Sequence, residues 1–384
     1  MKNFRLIKWY YFIFLCFVAT GLDARVLTVG PNGEFVFPSI AAQFAQNGDT
    51  IEIDANGVYL NDFVEWKQNN LTIRGVNGRP HIRGTVKIPN RKAIWIIKGH
   101  NTTVENVEIS GARVGDKNGA AFRLEGLNFF LSDCYIHDNQ NGILAGKHKP
   151  KSEIYIKNCE FAFNGKGGKG RTHNIYIGTV GKFTLENSYS HNAIVGHLVK
   201  SRAKENYILN NRLFEGAASY AVDLPNGGYS VIMGNIMLQN EQTDNSAIIA
   251  YGMEQRSYSN NRLIVQFNSI QNDRNYGIFV KTKVKAEVIL VNNIFSGKGK
   301  VFEGRSRSRK ISNNFVGQNA FAIFQSDNIS VSPKVVDSLV DSSVLQITPQ
   351  ILLPSPNKQI SSGGVIVDRK PLGKAFDIGA TEIK

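Results

Sequence analysis

The sequence is short of the residues that build disulfide, zinc or helical scaffolds. It has 3 cysteines and 11 prolines in 384 residues. So few cysteines cannot staple a chain of this length. Cysteine and histidine also do not fall at zinc-ligand spacings. Past the first two dozen residues no apolar run is long enough to span a membrane. Stretches with helical apolar spacing are few. Acidic residues are in the minority, with Lys+Arg 45 against Asp+Glu 31 and a net charge of +14. A basic surface suits an anionic partner: nucleic acid, an acidic membrane surface or an acidic polysaccharide. The segment Gly165 to Thr172 approaches a phosphate-binding loop, but Arg171 replaces the required lysine and no helix follows, so nucleotide binding is not expected.

What is present is a repeat. Asn106, Asp133, Asn158, Asn187, Asn211, Asn235, Asn268, Asn293 and Asn314 recur at spacings from 21 (Asn293 to Asn314) to 33 (Asn235 to Asn268). Most follow a short apolar strand, as in Ile156-Lys157-Asn158 and Val291-Asn292-Asn293. A strand-like repeat of this length predicts a solenoid, because one unit cannot bury its own apolar face. Stacked coils place equivalent residues about 4.8 Å apart, so asparagines can bond their copies above and below. The 36 glycines suit the many turns this demands. The expected fold is all-β: a single-stranded solenoid of stacked coils with a short N-terminal capping helix.

Lys2, Arg5 and Lys8 precede the apolar run Trp9 to Leu22, and Leu22-Asp23-Ala24 follows. This predicts a signal peptide over 1–24 and a secreted or periplasmic protein. An uncleaved anchor is the competing reading, since Leu22 is bulky for a cleavage site. Residues 25–317 are assigned to the solenoid, with an amphipathic helix from Ser39 to Gln46 plugging its open end. Residues 318–384 lose the repeat and are read as an irregular tail packing along the solenoid and over its far end. Cys134 and Cys159 follow ladder residues, so they should stack on consecutive coils within disulfide reach. A disulfide and two reduced thiols both fit.

The N-terminal turn pattern, the asparagine ladder and the closing Phe376-Asp377-Ile378-Gly379-Ala380-Thr381-Glu382 together resemble the secreted right-handed parallel β-helix proteins of the pectate-lyase-like superfamily. That fold carries lyases, hydrolases, epimerases and adhesins. No two aspartates are adjacent, and the aspartate cluster of the pectin-hydrolase group is not seen, which disfavours an inverting hydrolase.

Chemistry concentrates between residues 171 and 228. Tyr176 stands 11 residues before Asn187, and Lys200 stands 11 before Asn211, so the two should be neighbours on adjacent coils. Strand alternation predicts Asn174, Tyr176, Lys200 and Arg202 on the outer face. Asp223 joins Lys200 if a bulge or a longer loop intervenes. His173 and His197 lie at one edge. β-Elimination in a uronic-acid polymer needs a base, a cation to hold the carboxylate and a proton donor. Lys200 is the expected base, its pKa open to lowering by a nearby arginine. Arg202 is the expected cation, and Tyr176, His173 and His197 the donors. Arg171, Asn174, Tyr220, Asp223 and Asn226 are candidate substrate contacts. Competing structural readings remain: His173 and His197 as satisfied strand-end histidines, Lys200 and Arg202 as solvated strand charges, Tyr220 as a packing aromatic and Asp223 as a turn cap. His191 is read as structural, in a turn.

Val199-Lys200-Ser201, Asn206, Asn211, Gly227-Gly228 and Gly234-Asn235 resemble the catalytic stretch of the chondroitinase B and alginate lyase family. That resemblance implies Lys200 as the base. It also implies an arginine on the next coil, where Leu224 stands, and acidic calcium ligands where Ala193 and Val195 stand. Ca2+ therefore stays open as a cofactor without its expected ligands. The expectation is a monomeric lyase of an acidic polysaccharide, with no nucleic acid and no membrane span after signal cleavage. A uronate epimerase, a hydrolase or a glycan-binding β-helix protein is the alternative.

Overall fold

The structure is a computed structural model. It describes residues 24–318 except 147, 168–171 and 255–257, together with 321–323, 329–331, 343, 346–348, 351–352, 356–360, 366–372 and 375–381. The proposed signal segment up to residue 23, and with it Cys16, lies outside the described residues, as does Arg171.

The chain winds as a right-handed coil whose strands stack into three parallel sheets of 12, 10 and 11 strands. Each strand pairs with the equivalent strand one coil away. In Thr50–Asp54 the side chains alternate, with Ile51 and Ile53 fully buried and their neighbours half-exposed. Burial of the inward apolar rows is the main stabilising term, at about 25 cal/mol per Å². Aromatic rings meet across the core: Trp66, Trp95, Phe122 and Phe129 contact one another in turn at centroid distances of 5.6, 5.8 and 5.7 Å.

Between the twelve- and eleven-stranded sheets the chain turns through one left-handed residue per coil. Asn106, Asp133, Asn158, Asn187, Asn210, Asn292 and Asn313 have φ between 51° and 59° there. Asparagine and aspartate enter that region more cheaply than other side chains with a Cβ. The next residue points inward: Val107, Cys134, Cys159, Ser188, Asn211, Asn235, Asn268, Asn293 and Asn314. The expected nine-residue ladder thus joins two neighbouring columns, its first four members at the bend and the rest inside. Both columns are polar and one residue apart, so spacing alone merges them.

Only the second half is an inward asparagine ladder. The backbone N–H of Asn211, Asn235, Asn268 and Asn293 each donates to the next Oδ1 at 2.9–3.0 Å. Their Nδ2 groups donate to the same oxygens at 2.9–3.0 Å. Cys134 and Cys159 do stack, but as buried free thiols. Their Sγ atoms donate to the carbonyls of Ser132 and Lys157 at 3.0 and 3.1 Å, each within its own coil.

The helix spans Pro38–Phe44, with proline in its first turn. Its Ser39 N–H donates to Asp62 at 3.0 Å, and Gln68 donates to the Ala42 carbonyl at 3.1 Å, which ties it to the first coil. In the C-terminal segment, described residues form three small antiparallel strand pairs. Arg369 is buried, stacks 5.1 Å from the Phe267 ring and donates to the carbonyls of Asp377 and Gly379. Gly379 N–H donates to the Asn292 carbonyl at 3.0 Å, so this segment is fastened to the flank of the solenoid.

Candidate active site

The ten-stranded sheet carries the candidate site on its outer face. Its pairing sets Leu144, Tyr176, Lys200, Asp223 and Ala250 in one column. The Tyr176–Lys200 juxtaposition is the one that the repeat predicts. Asp223 pairs directly with Lys200, and the loop after Leu224 is longer than the one after Ser201. Ser201 is followed four residues on by Glu205, whereas Leu224 is followed five on by Tyr229, the partner of Glu205.

Lys200 Nζ lies 2.8 Å from Asp223 Oδ2 and 3.4 Å from Glu254 Oε1. Arg202 grips Glu254 with both terminal nitrogens, at 2.6 and 2.7 Å. Its Nε donates to Tyr176 Oη at 3.0 Å, and its Nη1 donates to Asn226 Oδ1 at 3.0 Å. Since arginine only donates, the Tyr176 hydroxyl keeps its own proton for another acceptor. Hydrogen bonds from Arg202 hold the Glu254 carboxyl below its usual range. Burial works against the Arg202 charge, but its bonds to Glu254 and Tyr176 outweigh that and raise its pKa.

The two histidines stack. His173 and His197 have ring centroids 4.9 Å apart, and Tyr220 covers His197 at 5.0 Å. His173 Nδ1 accepts the His197 backbone N–H at 3.1 Å, and His197 Nδ1 accepts that of Tyr220 at 3.2 Å. Both neutral rings therefore carry their proton on Nε2. His197 Nε2 lies 3.3 Å from Asp223 Oδ2. Burial, aided by Lys200 and Arg202, pushes His173 down to about 3. Burial first, then His173 and Lys200, drives His197 well below its usual value. Burial also pushes the Asp223 carboxyl up, against the pull of Lys200. Its Oδ1 is buried, with no hydrogen-bond partner among the described residues.

A cleft of about 540 Å³ opens beside this cluster. It is lined by His173, Tyr176, Lys200, Arg202 and Glu254, by Arg123 and Leu144 further along the same column, and by Asp116, Lys117, Asn118 and Gly146.

Some expected contacts are not where alternation put them. Asn174 turns inward and is fully buried, donating to Ser190 Oγ and the His191 carbonyl. It precedes the strand Ile175–Ile177 at a bend, where strict alternation no longer holds. Tyr220 is a half-buried stacking ring, and its hydroxyl is pushed up by burial and by Asp223. Asp223 and Asn226 are buried and face Lys200 and Arg202. His191 ends the strand Tyr189–His191 instead of lying in a turn. Glu254 was not foreseen. It lies on a loop two coils beyond Arg202, where coil arithmetic gives no register.

The residues at the positions of the calcium ligands do not fit the ion. Ala193 is buried in the core and Val195 has no side-chain oxygen. Leu224, where the resemblance implies an arginine, is fully buried in the core, so that position cannot face a substrate.

No family model matches the sequence, and no curated protein matches it. Solved structures do. "Crystal structure of pectate lyase Pel9A" is similar with a TM-score of 0.58 at 15% identity, over 95% of this chain and 98% of that one. The alginate lyase from Paenibacillus sp. str. FPU-7 is similar with a TM-score of 0.53 at 12% identity, over 77% of this chain and 98% of that one. At such identities the likeness is one of architecture: this chain has the pectate-lyase-like right-handed parallel β-helix fold.

Proposed function

We propose that the protein is a secreted polysaccharide lyase that cleaves a uronic-acid-containing polymer by β-elimination in the cleft beside Lys200 and Arg202. The observation that carries this reading is the meeting of Tyr176, Lys200, Arg202 and Asp223 on adjacent coils, beside a cleft that Arg123 and Lys117 also line. The paired fork of Arg202 on Glu254 marks a carboxylate-binding position. A uronate carboxylate takes that position by displacing Glu254. Arg202 then stabilises the enolate-like charge that develops when the neighbouring C–H is broken.

Lys200 first passes a proton to Asp223; its free Nζ amine then takes the C–H proton, the C–H electron pair becomes the new C=C bond, and the bond to the leaving oxygen breaks. Tyr176 Oη protonates that oxygen. His173 presents its Nε2–H to the same cleft as a neutral donor. Asp223, raised by burial and with one free oxygen, receives the proton from Lys200. His197 faces Asp223 and orients it. Calcium takes no part in this scheme.

The test is incubation of the purified protein with a panel of uronate polymers, following ultraviolet absorbance of the unsaturated product. Absorbance should rise with at least one polymer and fall at least about 10²-fold for Lys200→Ala. Flat traces on every polymer refute the lyase. Solvent-isotope exchange into uncut polymer identifies an epimerase instead.

A further inference from the structure

On the eleven-stranded sheet, away from the cleft, three potential metal ligands meet on consecutive coils. We propose that His81, Glu108 and His137 bind a divalent transition-metal ion of the Zn2+ type. His81 pairs with Glu108, and Ser110 pairs with His137, so the coil register itself brings the three together. Their donor atoms all lie within 4.8 Å of one another. Two of the separations, His81 Nδ1 to Glu108 Oε1 at 3.3 Å and His137 Nε2 to the same oxygen at 3.0 Å, are near the ~3.3 Å between donors around tetrahedral zinc.

The close contacts of His137 outnumber the protons of a neutral ring. His137 Nδ1 is 2.7 Å from Asp138 Oδ2, while its Nε2 is 3.0 Å from Glu108 Oε1. A neutral imidazole has one N–H and cannot donate to both carboxylates. The two contacts call for a further proton, on the ring or on a carboxyl, or for a cation as the positive centre between Nε2 and Glu108. His81 supplies a third donor to that same point, with its other nitrogen 2.7 Å from Ser110 Oγ. A ligating histidine backed by a carboxylate on its far nitrogen is the arrangement metal sites use. Asp138 is in turn ion-paired with Lys166.

The molecule contains its own control. Two coils on, His191 Nε2 meets Glu160 Oε1 at 3.0 Å, and His191 stacks on Tyr189 as His137 stacks on Tyr135. There Tyr135 holds the place of His81. Asn192 follows His191 where Asp138 follows His137. The third ligand and the backing carboxylate are added at one copy of the motif and missing from the other. Two nitrogens and one carboxylate oxygen suit Zn2+, Co2+ or Ni2+, not Ca2+ or Mg2+. The ion would join three coils and keep one coordination position for solvent.

The untagged full chain should take up one equivalent of Zn2+ by titration calorimetry, and its Tm should rise by several degrees. Co2+ should bring visible absorption bands of a nitrogen and oxygen site. His81→Ala and His137→Ala should each weaken binding at least about 100-fold, Asp138→Asn about tenfold, and His191→Ala not at all. Glu108→Gln keeps shape and should still lose the metal, which covers the case in which an alanine variant fails to fold. No saturable uptake by the unchanged chain means the positive centre is a proton and overturns the proposal. So does uptake that survives both His81→Ala and His137→Ala.

Discussion

The outer faces of two sheets use histidine in opposite ways. On the ten-stranded sheet, His173 and His197 are buried, stacked and tied through Nδ1 to backbone N–H groups of the next coil. Those bonds fix one tautomer and, with burial, keep the rings neutral. On the eleven-stranded sheet, His81, His137 and His191 face carboxylates on neighbouring coils, and His81 and His137 keep partial contact with water. The residue and the stacking are the same. What differs is the neighbouring coil, which offers a backbone donor in one case and a carboxylate in the other, and the two proposed roles rest on that difference.

The largest expected effect separates the two faces by activity. Arg202→Gln should lower kcat/KM by about 10²–10³, or about 3–4 kcal/mol of transition-state stabilisation. His137→Gln should leave it within about twofold. Equal losses from both would erase the distinction, and steady-state kinetics on a responsive polymer reads it directly.

A middle-sized effect concerns acid stability. The His173 pKa is about 3 in the folded chain against an ordinary 6.5. The folded state therefore binds fewer protons than the unfolded one between those values. The stability this group contributes is complete above pH 6.5 and lost as pH falls toward 3, on the order of 2–3 kcal/mol between pH 7 and 4. His173→Leu should flatten that part of the pH profile in urea denaturation. Parallel profiles for the variant and the unchanged chain would show that this ring is not the buried neutral group described.

The smallest effect lies on the other face. Hydrogen bonding to His191 holds Glu160 below its usual range, so its contribution is present above about pH 4.5 and fades below it. Glu160 is 44% exposed, so Glu160→Gln should cost less than about 1 kcal/mol at neutral pH. A much larger cost, again from urea denaturation, would mean that the two histidine environments differ less than drawn here.

Much of this could be read from the sequence, for an identifiable reason. Coil arithmetic put Tyr176 beside Lys200, but through two offsets that cancel: Asn187 is level with Asn210, and the step from Ile177 to Lys182 is one residue longer than that from Ser201 to Glu205. It fails at bends, which is why Asn174 was expected outside and lies inside. It also fails between adjacent polar columns, where Asn187 and Asn211 look like equivalents but sit one position apart. Loops escape it altogether, and Glu254 lies on one. The His81, Glu108 and His137 cluster was missed because a scan for zinc-ligand spacings along the chain does not test residues a whole coil apart.

The extra residue between Leu224 and Tyr229 leaves both flanking strands in register with the coils below and above. A length change at a corner is thus absorbed where it occurs, and phase errors do not accumulate down the stack. The loops bordering the cleft can lengthen or shorten one at a time while Tyr176, Lys200 and Asp223 hold their alignment. Descendants of such a molecule could reshape the cleft by editing corners, with the column of Tyr176, Lys200 and Asp223 inherited intact.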